Sequence, residues 1–397
     1  MELSRKARAI TPSTTLAITA KAKKMKSEGI NVISFGAGEP DFDTPQFVKD
    51  AAFDAINKGL TRYTPASGII ELKEAICMKL KEENNLEYSP AEIVISNGAK
   101  HSIYNALMAI CNPGDEVIIP VPYWVSYPEL VKLVDAVPVY INTSEDNQFK
   151  IKIHELEEKI TSKTKAIILN SPSNPTGAVY TKEELEKIAE IAVKHDLIVI
   201  SDEIYEKLIY DEYKHISIAS LNDEIKNRTI VINGMSKAYA MTGWRIGYTA
   251  SNKEIASLMA NIQSHATSNP NTIAQYASVA ALKGDQEVIE KMRKEFELRR
   301  NYMVDKINSI EGLSCVKPIG AFYVMINISK LIGKSFNGNI INSSLEFANV
   351  LLDEEKVAVI PGDAFGDDNY IRLSFATSLE QIKEGLNRIE AFIKKLK

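Results

Sequence analysis

The chain is poor in cysteine, and it lacks long apolar runs and any excess of basic charge. Three cysteines, Cys77, Cys111 and Cys315, are scattered through 397 residues. An odd, widely spaced set excludes a disulfide framework, and no Cys-x-x-Cys pair offers a zinc or redox site. Free thiols suit a reducing compartment, so a cytoplasmic location is expected. No stretch approaches the ~18 consecutive apolar residues of a membrane span, which argues against a membrane partner. Lys plus Arg number 47 against 52 Asp plus Glu, a net charge of −5. That balance argues against nucleic acid as a partner. The five histidines show no ligand spacing, so no catalytic metal is expected. A Gly-Lys-Ser/Thr phosphate loop is missing. Gly36-Ala37-Gly38 lacks the third glycine of a dinucleotide fingerprint, because Asp41 stands three residues after Gly38.

What remains is an ordinary globular composition, 45% hydrophobic and 25% charged. The length favours two or three domains. Residues 1–27 hold seven Lys/Arg and one acid, Glu2, and read as a basic arm leading into a solvated helix over 16–27. From residue 92 onward, short β-branched runs alternate with amphipathic stretches. Strands are expected at 92–96, 116–119, 137–141, 166–169, 197–201, 229–232 and 245–250. Helices are expected at 100–110, 126–133, 153–160 and 182–195. This alternation predicts an α/β fold around a mostly parallel sheet. After about residue 283 the pattern changes to a long charged helix over 287–307, strands at 321–326, 357–360 and 370–374, a helix over 345–353 and a last helix over 379–396. That part reads as a smaller α+β domain. The expected division is a large domain over 45–285 and a small one made of 1–44 with 286–397.

Four segments at predicted strand ends could carry chemistry. Ser96-Asn97-Gly98-Ala99-Lys100 opens a helix, whose first N–H groups favour a phosphate. Asn170 to Gly177, with two X-Pro steps, lies past a strand end, where open α/β sheets bind ligands. Ser201-Asp202-Glu203-Ile204-Tyr205 places a carboxylate at the end of an apolar strand, and such a group needs a cation or hydrogen bonds. Asn233-Gly234-Met235-Ser236-Lys237-Ala238 sets a lysine among small and apolar residues, where its pKa can fall and its amine can attack a carbonyl. Taken singly, each segment also has a plainer reading as a turn, a helix cap or a surface lysine.

Taken together, the segments resemble a known family. The chain is similar to fold-type-I pyridoxal phosphate enzymes of the class I/II aminotransferases, in particular to their bacterial and archaeal aspartate-specific branch. The resemblance runs nearly end to end. It rests on Ala37-Gly38-Glu39-Pro40-Asp41-Phe42, Tyr63-Thr64-Pro65…Gly68, Pro122-Tyr123-Trp124 and Asn174-Pro175-Thr176-Gly177. It continues in Ser201 to Tyr205, Ser236-Lys237…Gly243-Trp244-Arg245-Ile246-Gly247, Gly320-Ala321-Phe322-Tyr323 and Arg372-Leu373-Ser374.

The resemblance implies pyridoxal 5'-phosphate as cofactor and ping-pong transamination from L-aspartate to 2-oxoglutarate. It implies that Lys237 carries the cofactor aldehyde and later moves the substrate proton. Asp202 would pair with the ring nitrogen, and Asn174 and Tyr205 with the ring oxygen. Trp124 would stack on the ring. Gly98, Ala99, Lys100, Ser236 and Arg245 would surround the phosphate, joined by Tyr63 from the other subunit of a homodimer with shared active sites. Arg372 would hold the substrate α-carboxylate, with Gly38, Trp124 and Asn174 beside it. Ser13, Thr14 and Lys100 would receive the distal carboxylate. Relatives that also take prephenate carry a basic residue before the Pro-Ser pair; Thr11 stands there in this chain. Aromatic or alanine transamination, or a carbon–sulfur β-lyase reaction, are the alternatives on the same scaffold.

Overall fold

The computed structural model describes residues 3–11 and 14–397. Seven strands form the central sheet: β1 (Ile93–Ser96), β2 (Glu116–Val121), β3 (Val137–Asn142), β4 (Thr164–Asn170), β5 (Ile198–Asp202), β6 (Thr229–Gly234) and β7 (Gly247–Ala250). Their order is β1-β7-β6-β5-β4-β2-β3. All run parallel except β7, which is antiparallel to both neighbours. The inner strands read as unbroken apolar runs because helices cover both faces of the sheet. Ile230, Val231 and Ile232 of β6 are all fully buried, whereas edge strand β3 leaves Val137 and Tyr140 open.

The flanking helices follow from periodicity and capping. In Lys182–Lys194, Leu185, Ile188, Ala189 and Ala192 recur at helical spacing and are buried. Thr181 starts that helix with a reciprocal cap. Its Oγ1 accepts from the Glu184 N–H at 3.3 Å, and Glu184 Oε2 accepts from the Thr181 N–H at 2.7 Å.

The C-terminal part holds a three-stranded antiparallel sheet, with β8 (Tyr323–Asn327), β9 (Ile360–Pro361) and β10 (Tyr370–Ser374) in the order β9-β10-β8. The long helix Glu287–Asn308 packs beside it, and the last helix Leu379–Ile393 packs against that helix. The N-terminal segment joins this part: Ile33–Ser34 pairs in parallel with Val357–Ala358.

Several sequence-based boundaries move. The strand expected at 245–250 begins only at Gly247, because Arg245 has left-handed backbone (φ 57°). The run expected from Ala321 starts at Tyr323, and Ala321 itself has φ 58°. The N-terminal helix, α1 (Thr14–Ser27), is not solvated all round, since Ile18 and Ala22, four residues apart, are buried. The three cysteines are only partly buried. Burial still pushes the Cys77 thiol up to about 11 and the Cys111 and Cys315 thiols up to about 12. No described helix is long and apolar enough to cross a membrane.

Candidate active site

A cavity of about 610 Å³ opens at the carboxyl ends of the parallel strands, between the two parts of the chain. That edge is where an open α/β sheet gathers loops from several strands. Sheet register sets the spacing there. Asn170 ends β4 directly beside Asp202, which ends β5, and Asp202 in turn lies beside Ile232 of β6. The Asn170 side-chain amide donates to the Asp202 backbone carbonyl at 2.9 Å, and its own oxygen accepts from the Asn174 N–H at 2.8 Å. One strand-end amide thus fixes the loop that carries Asn174.

The Asp202 carboxylate is almost wholly buried. Burial raises its pKa to about 6, against the lowering effect of a hydrogen bond from Tyr127. Tyr127 Oη donates to Asp202 Oδ2 at 2.6 Å, and the Ile204 N–H approaches Oδ1 at 3.3 Å. Tyr127 lies one helical turn after Trp124 and meets its ring edge-on, with centroids 5.3 Å apart at 85°.

Lys237 follows β6, and its Nζ donates to the Gly38 carbonyl at 2.5 Å. Burial pulls its pKa down to about 8; Glu39 pushes the other way, and the Arg245 and Arg372 cations add to the lowering. The amine lies near the rings of Tyr205 and Phe322, 5.9 and 5.8 Å from their centroids. Tyr205 Oη meets Tyr323 Oη at 3.0 Å.

A second corner is cationic. Gly98 (φ 85°) caps the helix Ala99–Ile110, whose N-terminus faces the cavity. A Cβ at Gly98 would stand 2.3 Å from Arg245 Nη2, and one at Gly247 would stand 2.3 Å from the Ala99 nitrogen. Both glycines let backbone and guanidinium approach closely. Arg245 is held by the Thr242 carbonyl at 2.8 Å. Lys100 Nζ lies 4.9 Å over the Trp124 ring, and burial lowers its pKa. Ser236 lines the same cavity.

The opposite wall belongs to the small sheet. Arg372 sits on its central strand, β10, and is 4% exposed. Its guanidinium lies between the rings of Tyr323 and Phe365, at 4.2 and 4.8 Å. One Nη donates to Asn174 Oδ1 at 2.9 Å, and Nε has no partner. Among the described residues no carboxylate pairs with it. A buried, aromatic-braced cation with a free donor is suited to a bidentate carboxylate from outside.

These elements match the requirements of a pyridoxal phosphate enzyme: an amine with lowered pKa, a buried acid, an anion cradle and a free arginine. A family model described as "Aminotransferase class I and II" matches residues 30–389. The chain belongs to the class I and II aminotransferases. It is 53% identical over 392 residues to an aspartate aminotransferase of Bacillus sp. (strain YM-2), covering 99% of each chain. It is 51% identical over 395 residues to an aspartate aminotransferase of Bacillus subtilis (strain 168), covering 100% of each. It superposes on the crystal structure of an aspartate aminotransferase from Rhizobium meliloti with a TM-score of 0.97, at 43% identity and 100% coverage of both chains. The fold is fold type I, and membership of this aminotransferase family implies pyridoxal phosphate.

Of the residues singled out from the aminotransferase resemblance, Gly38, Ala99, Lys100, Trp124, Asn174, Asp202, Tyr205, Ser236, Lys237, Arg245 and Arg372 all line the one cavity. Gly98 lies behind Arg245. Tyr63 does not line it; it is 91% exposed on the surface of the single chain. Ser13 lies outside the described residues, and Thr14 begins helix α1. Sequence reasoning missed Tyr127, and it gave no role to Asn170 or Tyr323, although Asn170 opens one of the four segments and Tyr323 ends a motif of the resemblance. The i+3 spacing from Trp124 marks Tyr127, and strand register marks Asn170. The motif holding Tyr323 does not reveal its contact, which reaches Tyr205 across 118 residues. A further buried group, Glu203, Glu206 and His215, has the spacing to hold a metal ion. The Lys79 ammonium already ion-pairs with Glu206 there, and His215 Nε2 meets Glu203 Oε2 at 2.9 Å.

Proposed function

We propose that the chain transfers the amino group of L-aspartate to 2-oxoglutarate, giving oxaloacetate and L-glutamate, with pyridoxal 5'-phosphate held in the cavity. One observation carries the reading. The Lys237 amine, the Asp202 carboxylate and the Arg372 guanidinium face a single cavity of about 610 Å³. The aspartate aminotransferases among its relatives support the substrate.

When bound, pyridoxal phosphate supplies an electron-withdrawing ring that stabilises the negative charge left when the substrate Cα loses its proton. The remaining work falls to the chain's own residues. Lys237 would hold the cofactor through its amine and, once released, would serve as the base that takes the substrate Cα proton and as the acid that returns it. A pKa of about 8 suits both directions. Asp202 keeps a proton on the ring nitrogen. Asn174 and Tyr205 donate to the ring oxygen, and Trp124 covers one ring face. Gly98, Ala99, Lys100, Ser236 and Arg245 bind the phosphate. Arg372 grips the α-carboxylate beside Gly38, Trp124 and Asn174. It thereby orients the Cα–H bond for removal. Lys100, with Ser13 and Thr14, receives the distal carboxylate.

The same reading includes a homodimer in which Tyr63 completes the neighbouring site; its exposure in the single chain supports this. It divides the chain into a large domain over 45–285 and a small one of 1–44 with 286–397, and it places the protein in the cytoplasm, as its free thiols suggest.

The test is a pair of half-reactions on purified protein loaded with pyridoxal phosphate. L-Aspartate alone should convert the visible cofactor band to the amine form and release oxaloacetate stoichiometrically. 2-Oxoglutarate should reverse the change. A band that ignores aspartate but responds to phenylalanine or alanine would reject the substrate assignment. Pyruvate formed from a β-substituted amino acid without any oxo acid would reject transamination.

A further inference from the structure

Helix α1 presents a polar face to the cavity. Thr15, Thr19, Ala22, Lys23 and Lys26 recur at helical spacing along the wall at its mouth. Lys21 and Lys24 do not line the cavity and meet acids, Asp353 at 2.8 Å and Glu28 at 3.9 Å. Lys23 and Lys26 have no acidic partner among the described residues.

Charge around the cavity is lopsided. Six cationic side chains line it against two acids, Glu39 and Asp202. The local formal excess is thus +4 in a chain whose overall charge is −5. Lys237, Asp202, Arg245, Arg372 and Lys100 already have work to do with cofactor and substrate carboxylates. Only Lys23 and Lys26 are cations left over, and both stand on the exposed rim. An acidic protein repels anionic substrates at long range, and a cationic mouth with low-dielectric walls reverses that repulsion locally.

We propose that Lys23 and Lys26 form an electrostatic collar that selects dicarboxylates by net charge, steering them into the cavity before Arg372 is reached. The assignment rests on the dicarboxylate reading above. It makes a graded demand, because 2-oxoglutarate carries two net negative charges, L-aspartate one and L-alanine none.

The test is the double variant Lys23→Gln/Lys26→Gln beside the wild type, with Lys24→Gln as a surface control. At about 10 mM ionic strength, kcat/KM should fall about five- to tenfold for 2-oxoglutarate, about two- to threefold for L-aspartate and not at all for L-alanine. The loss should shrink to within about twofold near 0.2 M salt, where screening is short-ranged. Binding of succinate, an unreactive dicarboxylate, followed by calorimetry, should show the same salt-dependent loss. Lys24→Gln should match the wild type throughout. Equal losses for all three substrates, or a salt slope unchanged in the double variant, would overturn the collar. A wild type that converts neither aspartate nor 2-oxoglutarate would instead overturn the function on which it rests.

Discussion

Replacing Tyr127 with phenylalanine removes one hydrogen bond and leaves the ring that packs edge-on against Trp124. The lost bond is a 2.6 Å donation to a buried carboxylate. Hydrogen bonds to charged groups are worth about 1.5–3 kcal/mol. At 1.36 kcal/mol per unit, the Asp202 pKa should rise by about 1–2 units from its value of about 6. Near neutral pH the ionised fraction would then drop from roughly nine-tenths to half or less. A bound cationic ring nitrogen lowers the value in both proteins, so the gap between them is the readout. Expected is a loss of kcat/KM on the acid side of the profile, recovered as pH rises. The acid limb of the profile should move upward by about 1–2 units. Cofactor affinity, titrated separately, should weaken on the same pH scale. Acid limbs that superimpose would refute the argument that Tyr127 holds Asp202 in its charged form.

Other tests follow from the same cavity. Asp202 has its pKa held at about 6, above the ~3.9 of an unfolded chain. The folded state therefore binds more protons between those values, and this group's contribution to stability falls as pH rises through them. Asp202→Asn should thus stabilise the cofactor-free protein at neutral pH by at most about 3 kcal/mol, seen as a higher melting temperature, while abolishing transamination; a lower melting temperature would contradict this. Arg372→Ala should weaken amino and oxo acid binding about 30-fold or more but leave pyridoxal phosphate affinity nearly unchanged, and equal losses of both would remove it from the α-carboxylate. Prephenate should be a poor amino acceptor beside 2-oxoglutarate, given Thr11 before the Pro-Ser pair; comparable kcat/KM values would show that this position does not decide the matter.

The sequence predicted the parallel sheet because buried strands leave an unmistakable apolar signature, as at 229–232 and 198–201. Most candidate site residues stand near strand ends, where the sequence pattern directs attention, whereas Arg372 lies in the middle of β10. Boundaries failed where backbone conformation, not hydropathy, ended an element. Arg245 and Ala321 both take left-handed φ, which no apolar pattern announces. The antiparallel direction of β7 was equally hidden, since four buried residues read the same either way. The partners that tune the site were the hardest to see. Tyr127, Tyr323 and Phe365 act through tertiary contacts, and a tyrosine or phenylalanine in an apolar stretch looks like core. The cavity face of α1 was missed for a related reason. A basic helix with few apolar positions reads as solvated until Ile18 and Ala22 are seen buried.

That helix also separates two evolutionary tasks. Asn170 and Asp202, which line the cavity, end adjacent strands of a hydrogen-bonded sheet, where a change in one strand disturbs its neighbours. Helix α1 belongs to no sheet, and its cavity face is spelled out by Thr15, Thr19, Lys23 and Lys26. A library varied at those four positions would change the cavity mouth while Lys237, Asp202 and Arg372 stay in place. Substitutions along this one helix therefore reach the cavity mouth without touching the strand ends.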